Sequence, residues 1–194
     1  PDACRAGRGR GLQGDPRRRH SLPGLQRGRG DGQGRHRAAE ERLEEAIGPL
    51  DVYSEVYCFS EFSSYYDAEF GGRTWKYLIA AKNLVSADKL VSMKLRSEEI
   101  QRELASSGKN LRRTVNIDPG YINGWQVVLS SVKNYNHRIY LRSGIYAEVT
   151  LLYRKARFIP LPWTYPDYKS PLVQQFLHEL RNIYRDQLDA KNQG

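Results

Sequence analysis

The residues best suited to chemistry lie on one face of a predicted β-hairpin, 137–154, and in the segments before and after it. An arginine can bind a phosphate or carboxylate, aromatic rings can stack on a base, and a carboxylate can act as general base or bind Mg²⁺. This cluster predicts a site for a small anionic ligand such as a nucleotide. The predicted ligand-binding residues are Arg138, Tyr140, Tyr146, Thr150, Trp163, Tyr165 and Asp167, and the candidate catalytic residues are Asp118, Glu148 and His137.

The same side chains also fit structural roles. Arg138 opposite Glu148 is an ordinary cross-strand ion pair, worth less than ~1 kcal/mol if it is exposed. Tyr140 opposite Tyr146 is a stacked pair that stabilises a sheet. His137 shares its face with apolar residues, which is typical of a hydrogen-bonded histidine at the core or its edge. The first alternative to ligand binding is therefore a non-catalytic structural or protein-interaction module.

A second alternative is a hydrolase or transferase that uses Asp118 and Glu148. It requires the two carboxylates to converge on one pocket. The sequence contains no zinc-ligand spacing, Ser-His-Asp set, redox cysteine pair or dinucleotide-binding glycine motif. We therefore assign no metal and leave the cofactor and the reaction open.

The turn of the hairpin decides which residues share a face. A two-residue turn at Ser143-Gly144 would mix apolar and polar residues on both faces. A three-residue loop over 142–144 instead aligns Ile139 with Ala147 on an apolar face and collects the charged and tyrosine residues on the other. We prefer this second register, and we expect the apolar face to be buried and the polar face to be exposed.

The elements around the hairpin alternate between helices and strands. Asp118-Pro119-Gly120 predicts a turn, because proline fixes φ and glycine permits positive φ. Ser170 and Pro171 are typical of a helix start, and an apolar stripe follows them. The predicted elements are a helix ending at Ile47, strands at 52–62, 74–81, 114–118 and 125–132, a helix from about Ser86, the hairpin and the final helix.

The net charge of +9 is concentrated in residues 1–37, which hold ten arginines and three aspartates. This segment has nine glycines and three prolines and no aromatic residue, valine or isoleucine, so we expect it to be disordered. It is a nucleic-acid-binding arm, a solvated tail, or DNA read out of frame. Nucleic acid is otherwise not an expected partner, and residues 38–190 are predicted to form a single α+β domain.

Membrane insertion is not expected, because no stretch approaches the roughly 18 apolar residues of a spanning helix. Two cysteines, Cys4 and Cys58, are too few for a disulfide scaffold. A reducing, cytoplasmic location is therefore predicted.

Four motifs resemble one family of uncharacterised bacterial proteins, domain of unknown function 4416. The similarity runs over about residues 38–188. The motifs are Val115–Tyr121, His137–Leu141, Gly144–Leu151 and Trp163–Tyr168. Some members of that family carry a GTP-binding label, but this chain has no Gly-x-x-x-x-Gly-Lys-Ser/Thr loop to cradle phosphates.

The resemblance also implies a fold. Members of the family begin with an apolar strand before the first helix, where this chain has its arginine-rich run. With that strand, the order becomes a ferredoxin-like split βαβ sheet, extended by the hairpin and a C-terminal helix. The resemblance therefore implies an α+β protein whose first strand is missing or corrupted.

Overall fold

The computed structural model describes residues 18–21, 24–28, 33–105 and 113–192. The helices are α1 (Gln33–Ile47), α2 (Asp67–Phe70), α3 (Lys89–Glu103) and α4 (Pro171–Asn192), with 3-10 turns at Phe59–Glu61 and Pro166–Lys169. The strands are β1 (Arg18–Ser21), β2 (Gly24–Gly28), β3 (Leu50–Tyr53), β4 (Tyr57–Cys58), β5 (Thr74–Ala81), β6 (Val85–Ser86), β7 (Val115–Asp118), β8 (Gly120–Ile122), β9 (Gln126–Ser131), β10 (Ile139–Arg142), β11 (Ile145–Arg154) and β12 (Arg157–Pro160).

The described strands form two antiparallel sheets. Sheet one has the order β10-β11-β9-β8-β1-β6, with β12 also paired to β11. Sheet two has the order β3-β5-β2-β7, with β4 also paired to β5. Together with the four helices, they confirm the predicted α+β class.

Sheet two and two helices share one core. Leu25 of β2, Leu43 of α1, Ile79 of β5, Ile100 of α3 and Ile117 of β7 are buried together in it. Along the chain, β2, α1, β3, β5, α3 and β7 follow the strand–helix–strand–strand–helix–strand order that the resemblance implies. The finer ferredoxin-like assignment stays a prediction that this order supports.

Within residues 1–37, the structure describes 18–21, 24–28 and 33–37, and the disorder expected of this segment stays a prediction. β1 pairs with β6 and β8, β2 lies between β5 and β7, and α1 begins at Gln33. Residues 1–17, 22–23 and 29–32 lie outside the described residues. A central strand such as β2 is held by backbone hydrogen bonds, which depend little on residue type.

β2 also occupies the place where the family's first strand was expected to be missing. It needs only one large apolar side chain, the fully buried Leu25, to join the core. The reading-frame hypothesis and the limits of the domain stay predictions.

A second core joins both sheets to α4, and it includes Leu78 of β5, Leu129 of β9 and Leu177 of α4. Ser170 caps the start of α4, since its hydroxyl accepts a hydrogen bond from the Val173 N–H at 3.3 Å. The predicted apolar stripe is buried, with Val173, Leu177 and Leu180 fully enclosed. None of the described helices, α4 included, has the length and apolar character to cross a bilayer.

The preferred hairpin register is confirmed. Ile139 pairs with Ala147, and Tyr140 pairs with Tyr146. The register then shifts at the tip, where Arg142 pairs with Ile145. The turn therefore consists of two residues, Ser143 and Gly144. The ladder is irregular between Tyr140 and Arg142, and this extra residue gives the rest of the hairpin the pairing that a three-residue loop would give.

The expected burial of the two hairpin faces is wrong. Ile139 is 69% exposed, whereas Glu148 is 3% exposed and Thr150 is fully buried. The alternation of apolar and polar residues along a strand does not show which face is buried when a second layer of the protein covers the polar face. In this protein the closing loop, residues 161–170, lies over that side, since Thr164 donates to the backbone carbonyl of Thr150.

The segment Asp118-Pro119-Gly120 is not a turn but a crossing between the sheets. β7 of sheet two ends at Asp118, and β8 of sheet one begins at Gly120. The carbonyl oxygen of Pro119 accepts from both the N–H and the hydroxyl of Ser130, at 3.0 and 2.6 Å. The chain thus continues in extended form, and the crossing brings Asp118 to the junction of the two sheets.

We expect Gly120→Ala to lower the free energy of unfolding by about 1–3 kcal/mol, as overpacking does. A Cβ at this position would lie 2.4 Å from the carbonyl oxygen of Val128 and 2.6 Å from a methyl carbon of Leu129. Urea unfolding measures the change. Gly144→Asn is the control, because a Cβ added at Gly144 would have no atom within 4 Å. The φ of this residue is +75°, a conformation that asparagine tolerates. Equal stability of Gly120→Ala and wild type would contradict the close approach.

Candidate functional site

A cleft of about 130 Å³ opens between the two sheets. It is lined by residues of β5 and β7 in sheet two, β9 and β11 in sheet one, α3 and the closing loop. Its basic lining residues are Lys76, Lys94, Arg113, Lys133 and Arg138, its acidic ones Glu98, Asp118 and Glu148, and its aromatic ones Phe59, Tyr66, Tyr165 and Tyr168. The lining thus holds five basic side chains and three carboxylates, and two further carboxylates, Asp167 and Glu69, lie beside Lys76 and Arg113.

Asp118 anchors a polar network along the sheet-two wall. Its Oδ1 accepts from the Lys94 ammonium at 3.2 Å, and its Oδ2 accepts from the Asn116 amide at 2.6 Å. Lys94 also bonds the Glu98 carboxylate at 2.8 Å, one helical turn along α3. The Asn116 side-chain oxygen accepts from Arg113 at 2.8 Å. These links fix the charged groups of this wall in place.

The charges in this network keep both members of its central pair ionised. Burial raises the pKa of the Asp118 carboxyl, but the positive charges of Lys94 and Lys76 outweigh it, so the pKa lies below its ordinary value. Burial lowers the pKa of Lys94, but Asp118 and Glu98 outweigh it, so that pKa lies above its ordinary value. Asp118 is therefore a weak base at neutral pH.

We expect the free energy of unfolding of Asp118→Asn to depend less on pH below neutrality than that of wild type. Because the pKa of Asp118 is lowered by folding, its contribution is present above the unfolded value near 3.8 and is lost as pH falls through the folded value. The variant lacks that contribution, so it is less stable than wild type at pH 7 and the difference shrinks below about pH 4. Urea unfolding between pH 2.5 and 7 measures it, in ~0.5-unit steps.

The control for this profile is Asp51→Asn, which alters an exposed carboxylate of β3. Its curve is expected to run parallel to that of wild type. A gap between Asp118→Asn and wild type that stays constant down to the lowest pH would contradict the assigned role of Asp118.

Glu148 provides the acidic group of the sheet-one wall. Its Oε2 accepts from the Arg138 Nε at 2.7 Å and lies 3.1 Å from the His137 Nε2. The Arg138 guanidinium also donates to the hydroxyls of Ser131 and Tyr165, at 2.8 and 3.0 Å. The Arg138 and Glu148 side chains are only 6% and 2% exposed. The predicted cross-strand pair thus exists, but as a buried one.

Lys76 brings a second buried ion pair to the cleft. Its ammonium lies 2.7 Å from the Asp167 Oδ2, which also accepts from the Tyr57 hydroxyl at 2.8 Å. Tyr168 lines the cleft and is 1% exposed. In the part of the chain that the structure describes, neither the Tyr168 hydroxyl nor the Asp167 Oδ1 has a hydrogen-bond partner. The cleft wall therefore retains a buried hydroxyl that can still donate.

The structure brings four of the predicted site residues to the cleft and leaves six outside its lining. The four are Asp118, Arg138, Glu148 and Tyr165. The six are His137, Tyr140, Tyr146, Thr150, Trp163 and Asp167. The candidate carboxylates Asp118 and Glu148 thus share one cleft, as the sequence hypothesis required.

Of the six residues outside the lining, four belong to the hairpin, and Trp163 and Asp167 belong to the closing loop. The His137 and Trp163 rings stack at 4.9 Å, and the Trp163 indole donates to the carbonyl of Val149. Tyr140 packs edge-on against Tyr146 at 5.4 Å, the contact expected of a structural pair. Thr150 and Asp167 are fully buried, and Asp167 pairs with Lys76 of the cleft.

Sequence reasoning missed most of the basic residues of the cleft. Lys76 interrupts a strand that is otherwise almost entirely apolar, and Lys94 lies among the buried Leu90 and Val91 on the inner face of α3. A lysine within an apolar run was a usable signal, because burial of such a charge requires a partner. Arg113 and Lys133 carry no such signal, since they lie in connecting segments.

The arrangement offers fixed charges and hydrogen-bond donors rather than a metal centre. Among the described residues, no group of three or more His, Cys, Asp or Glu side chains is placed to hold a metal ion. Cys58, read from the sequence as a small core residue, is buried and has a free thiol. The cleft can therefore contact a ligand through ammonium, guanidinium, amide and hydroxyl groups.

Comparison with known proteins gives a family but no activity. The chain matches no curated protein. The profile of a family described as domain of unknown function, DUF4416, matches residues 31–184. That stretch contains β3 to β12, all of α1, α2 and α3, the first part of α4 and every charged residue of the cleft. The chain therefore belongs to the family of the domain of unknown function DUF4416.

Proposed function

We propose that the cleft binds a small anionic ligand, such as a nucleotide, through its phosphate or carboxylate group. The observation that supports this most directly is the cluster of five basic side chains in one concave site that both sheets line. Arginine and lysine donate strong, charge-assisted hydrogen bonds to such groups. We propose a cytoplasmic location with it, from the cysteine content.

Lys133 is the cleft cation best placed to meet a ligand. The other four basic groups each lie within 4 Å of a carboxylate: Asp167 for Lys76, Asp118 for Lys94, Glu69 for Arg113 and Glu148 for Arg138. Lys133 is exposed, and its ammonium instead contacts the hydroxyl of Tyr65 at 2.8 Å. Within the described residues it has no carboxylate partner.

The size of the cleft limits how much of a ligand it can enclose. Clefts that enclose drug-sized molecules hold roughly 300–1,000 Å³, and this one holds about 130 Å³. A phosphate or carboxylate group fits that space. The remainder of a nucleotide would lie at the mouth, where the half-exposed Tyr165 offers a ring for stacking.

Acid–base catalysis by Asp118 has less support. A general base at neutral pH works best with a pKa near 7, and Asp118 has a pKa lowered by Lys94 and Lys76 against the effect of burial. Its oxygens already accept from Lys94 and Asn116. Binding is therefore the function that we propose, and a hydrolase or transferase is not.

We expect phosphate-bearing ligands to raise the melting temperature of the chain and Lys133→Met to weaken their binding about tenfold. Loss of one charge-assisted hydrogen bond, about 1.5 kcal/mol, corresponds to that factor. The probes are inorganic phosphate, nucleoside monophosphates and triphosphates, and an uncharged nucleoside. Thermal shift ranks them and isothermal titration calorimetry measures the Kd.

The control is Lys89→Met, which removes an exposed ammonium from the first turn of α3, outside the cleft. Its Kd is expected to match that of wild type. A panel in which no anion shifts the melting temperature would overturn the proposal, and so would anion binding that Lys133→Met leaves intact.

A further inference from the structure

The accessible groups of the cleft include acceptors as well as donors. The Asp118 and Glu98 side chains line the cleft and are 31% and 33% exposed. An ionised carboxylate has acceptor sites only, about four lone pairs over its two oxygens. A ligand that enters the cleft therefore meets fixed negative groups beside the cations that attract it.

Asp118 can accept further hydrogen bonds. Among the described residues, its Oδ1 accepts one hydrogen bond, from Lys94, and its Oδ2 accepts one, from Asn116. Each oxygen has another lone pair. Burial raises the pKa of this carboxyl, but Lys94 and Lys76 outweigh it, so the group is ionised at neutral pH and can only accept.

Donors lie in the same small space. Lys133 is exposed, and the Arg113 side chain is 28% exposed. Lys94 joins the two acceptors, since its ammonium lies 3.2 Å from Asp118 and 2.8 Å from Glu98. The whole cleft holds about 130 Å³. A single anionic group that fits this space has to accept from the cations and donate to a carboxylate.

Oxyanions differ in whether they can do both. Inorganic phosphate keeps at least one proton at neutral pH, and a phosphate monoester keeps one below its second pKa, at about 6. Such a group has oxygens that accept and a P–O–H that donates. Sulfate and carboxylates are fully ionised at neutral pH, so they offer acceptors only and are repelled by an ionised carboxylate.

We propose that the anion of this cleft is a protonated phosphate group, either inorganic phosphate or the monoanion of a phosphate monoester, whose O–H donates to Asp118. This inference rests on the proposed function, because it specifies which anions the cleft binds. A site built to hydrogen-bond a ligand hydroxyl rejects an analogue that lacks it, since the acceptor is left unpaired. Sulfate is such an analogue, with the shape of phosphate but without the proton.

Isothermal titration calorimetry of the full chain with phosphate and with sulfate, at pH 7 and equal ionic strength, tests the inference. We expect the Kd for sulfate to be at least about tenfold higher than that for phosphate. In Asp118→Asn the amide can donate to either anion, so sulfate binding is expected to improve and the two Kd values to approach each other. A gain in sulfate binding cannot result from a loss of folding. Asp51→Asn, which alters an exposed carboxylate of β3, is the control and is expected to keep the wild-type ratio.

Glycerol 3-phosphate, titrated at pH 6, identifies the source of the phosphate group. A Kd lower than that of inorganic phosphate at the same pH supports a monoester as the ligand, and a higher one supports the free ion.

The outcomes separate this inference from the proposed function. If no anion binds, the proposed function fails and this inference fails with it. If phosphate and sulfate bind alike, or if Asp118→Asn folds and keeps the wild-type ratio, the inference alone is overturned. Binding of acetate without binding of phosphate overturns it as well. If Asp118→Asn does not fold, the ratio of the two Kd values in wild type decides.

Discussion

Lys76→Met is expected to lower the free energy of unfolding by about 3–5 kcal/mol, the cost of leaving a buried charge without its partner. The Lys76 and Asp167 side chains are 6% and 0% exposed, so the variant leaves the Asp167 carboxylate buried without its cation. The Asp167 Oδ2 would keep only the Tyr57 hydroxyl, and its Oδ1 has no partner among the described residues. Urea unfolding at pH 7 measures the loss.

A second variant separates the lost charge partner from the lost packing of the lysine stem. Lys76→Met with Asp167→Asn removes both charges and keeps the Tyr57 hydroxyl bonded, so it is expected to recover more than half of the loss. Lys89→Met, at an exposed site, is expected to change stability by less than about 0.5 kcal/mol. If the double variant is no more stable than Lys76→Met alone, the buried charge is not the cause.

β5 shows how far the sequence predicted this part of the molecule. Its bounds, Thr74–Ala81, follow from a run of β-forming residues and are confirmed. The role of Lys76 within it did not follow, because its partner Asp167 lies ninety-one positions away. Local pattern determines a strand, whereas the partner of a buried charge depends on how distant segments pack.

In the hairpin too, local sequence predicted the strand pairing but not the burial of the side chains. Its register was predictable from alternation and the turn residues, and with it the pairing of Arg138 with Glu148. The buried face was not predictable, because the closing loop covers the polar side, where Tyr165 accepts from Arg138, and nothing within the hairpin reports that. β2 was missed for a related reason, since its neighbours β5 and β7 hold it through the backbone.

Burial changes the energetic role of the Arg138–Glu148 pair. As an exposed cross-strand pair it would contribute less than ~1 kcal/mol. The Arg138 and Glu148 side chains are 6% and 2% exposed. We therefore expect Arg138→Met to lower the free energy of unfolding by about 3–5 kcal/mol. The variant leaves the Glu148 carboxylate buried beside His137 and the Thr150 hydroxyl, which lies at 3.4 Å. The hydroxyls of Ser131 and Tyr165 lose a donor as well. Urea unfolding at pH 7 measures the effect.

Arg73→Met is the matched control, because it removes the same group from a pair with Glu61 whose side chains are 56% and 65% exposed. Its cost is expected to stay below about 1 kcal/mol. Arg138→Met with Glu148→Leu removes both buried charges and should recover much of the loss. Similar costs for the two single arginine variants would show that the hairpin pair is solvated in solution. The sheet-one wall of the cleft would then be open, and the basic groups there would be free to bind.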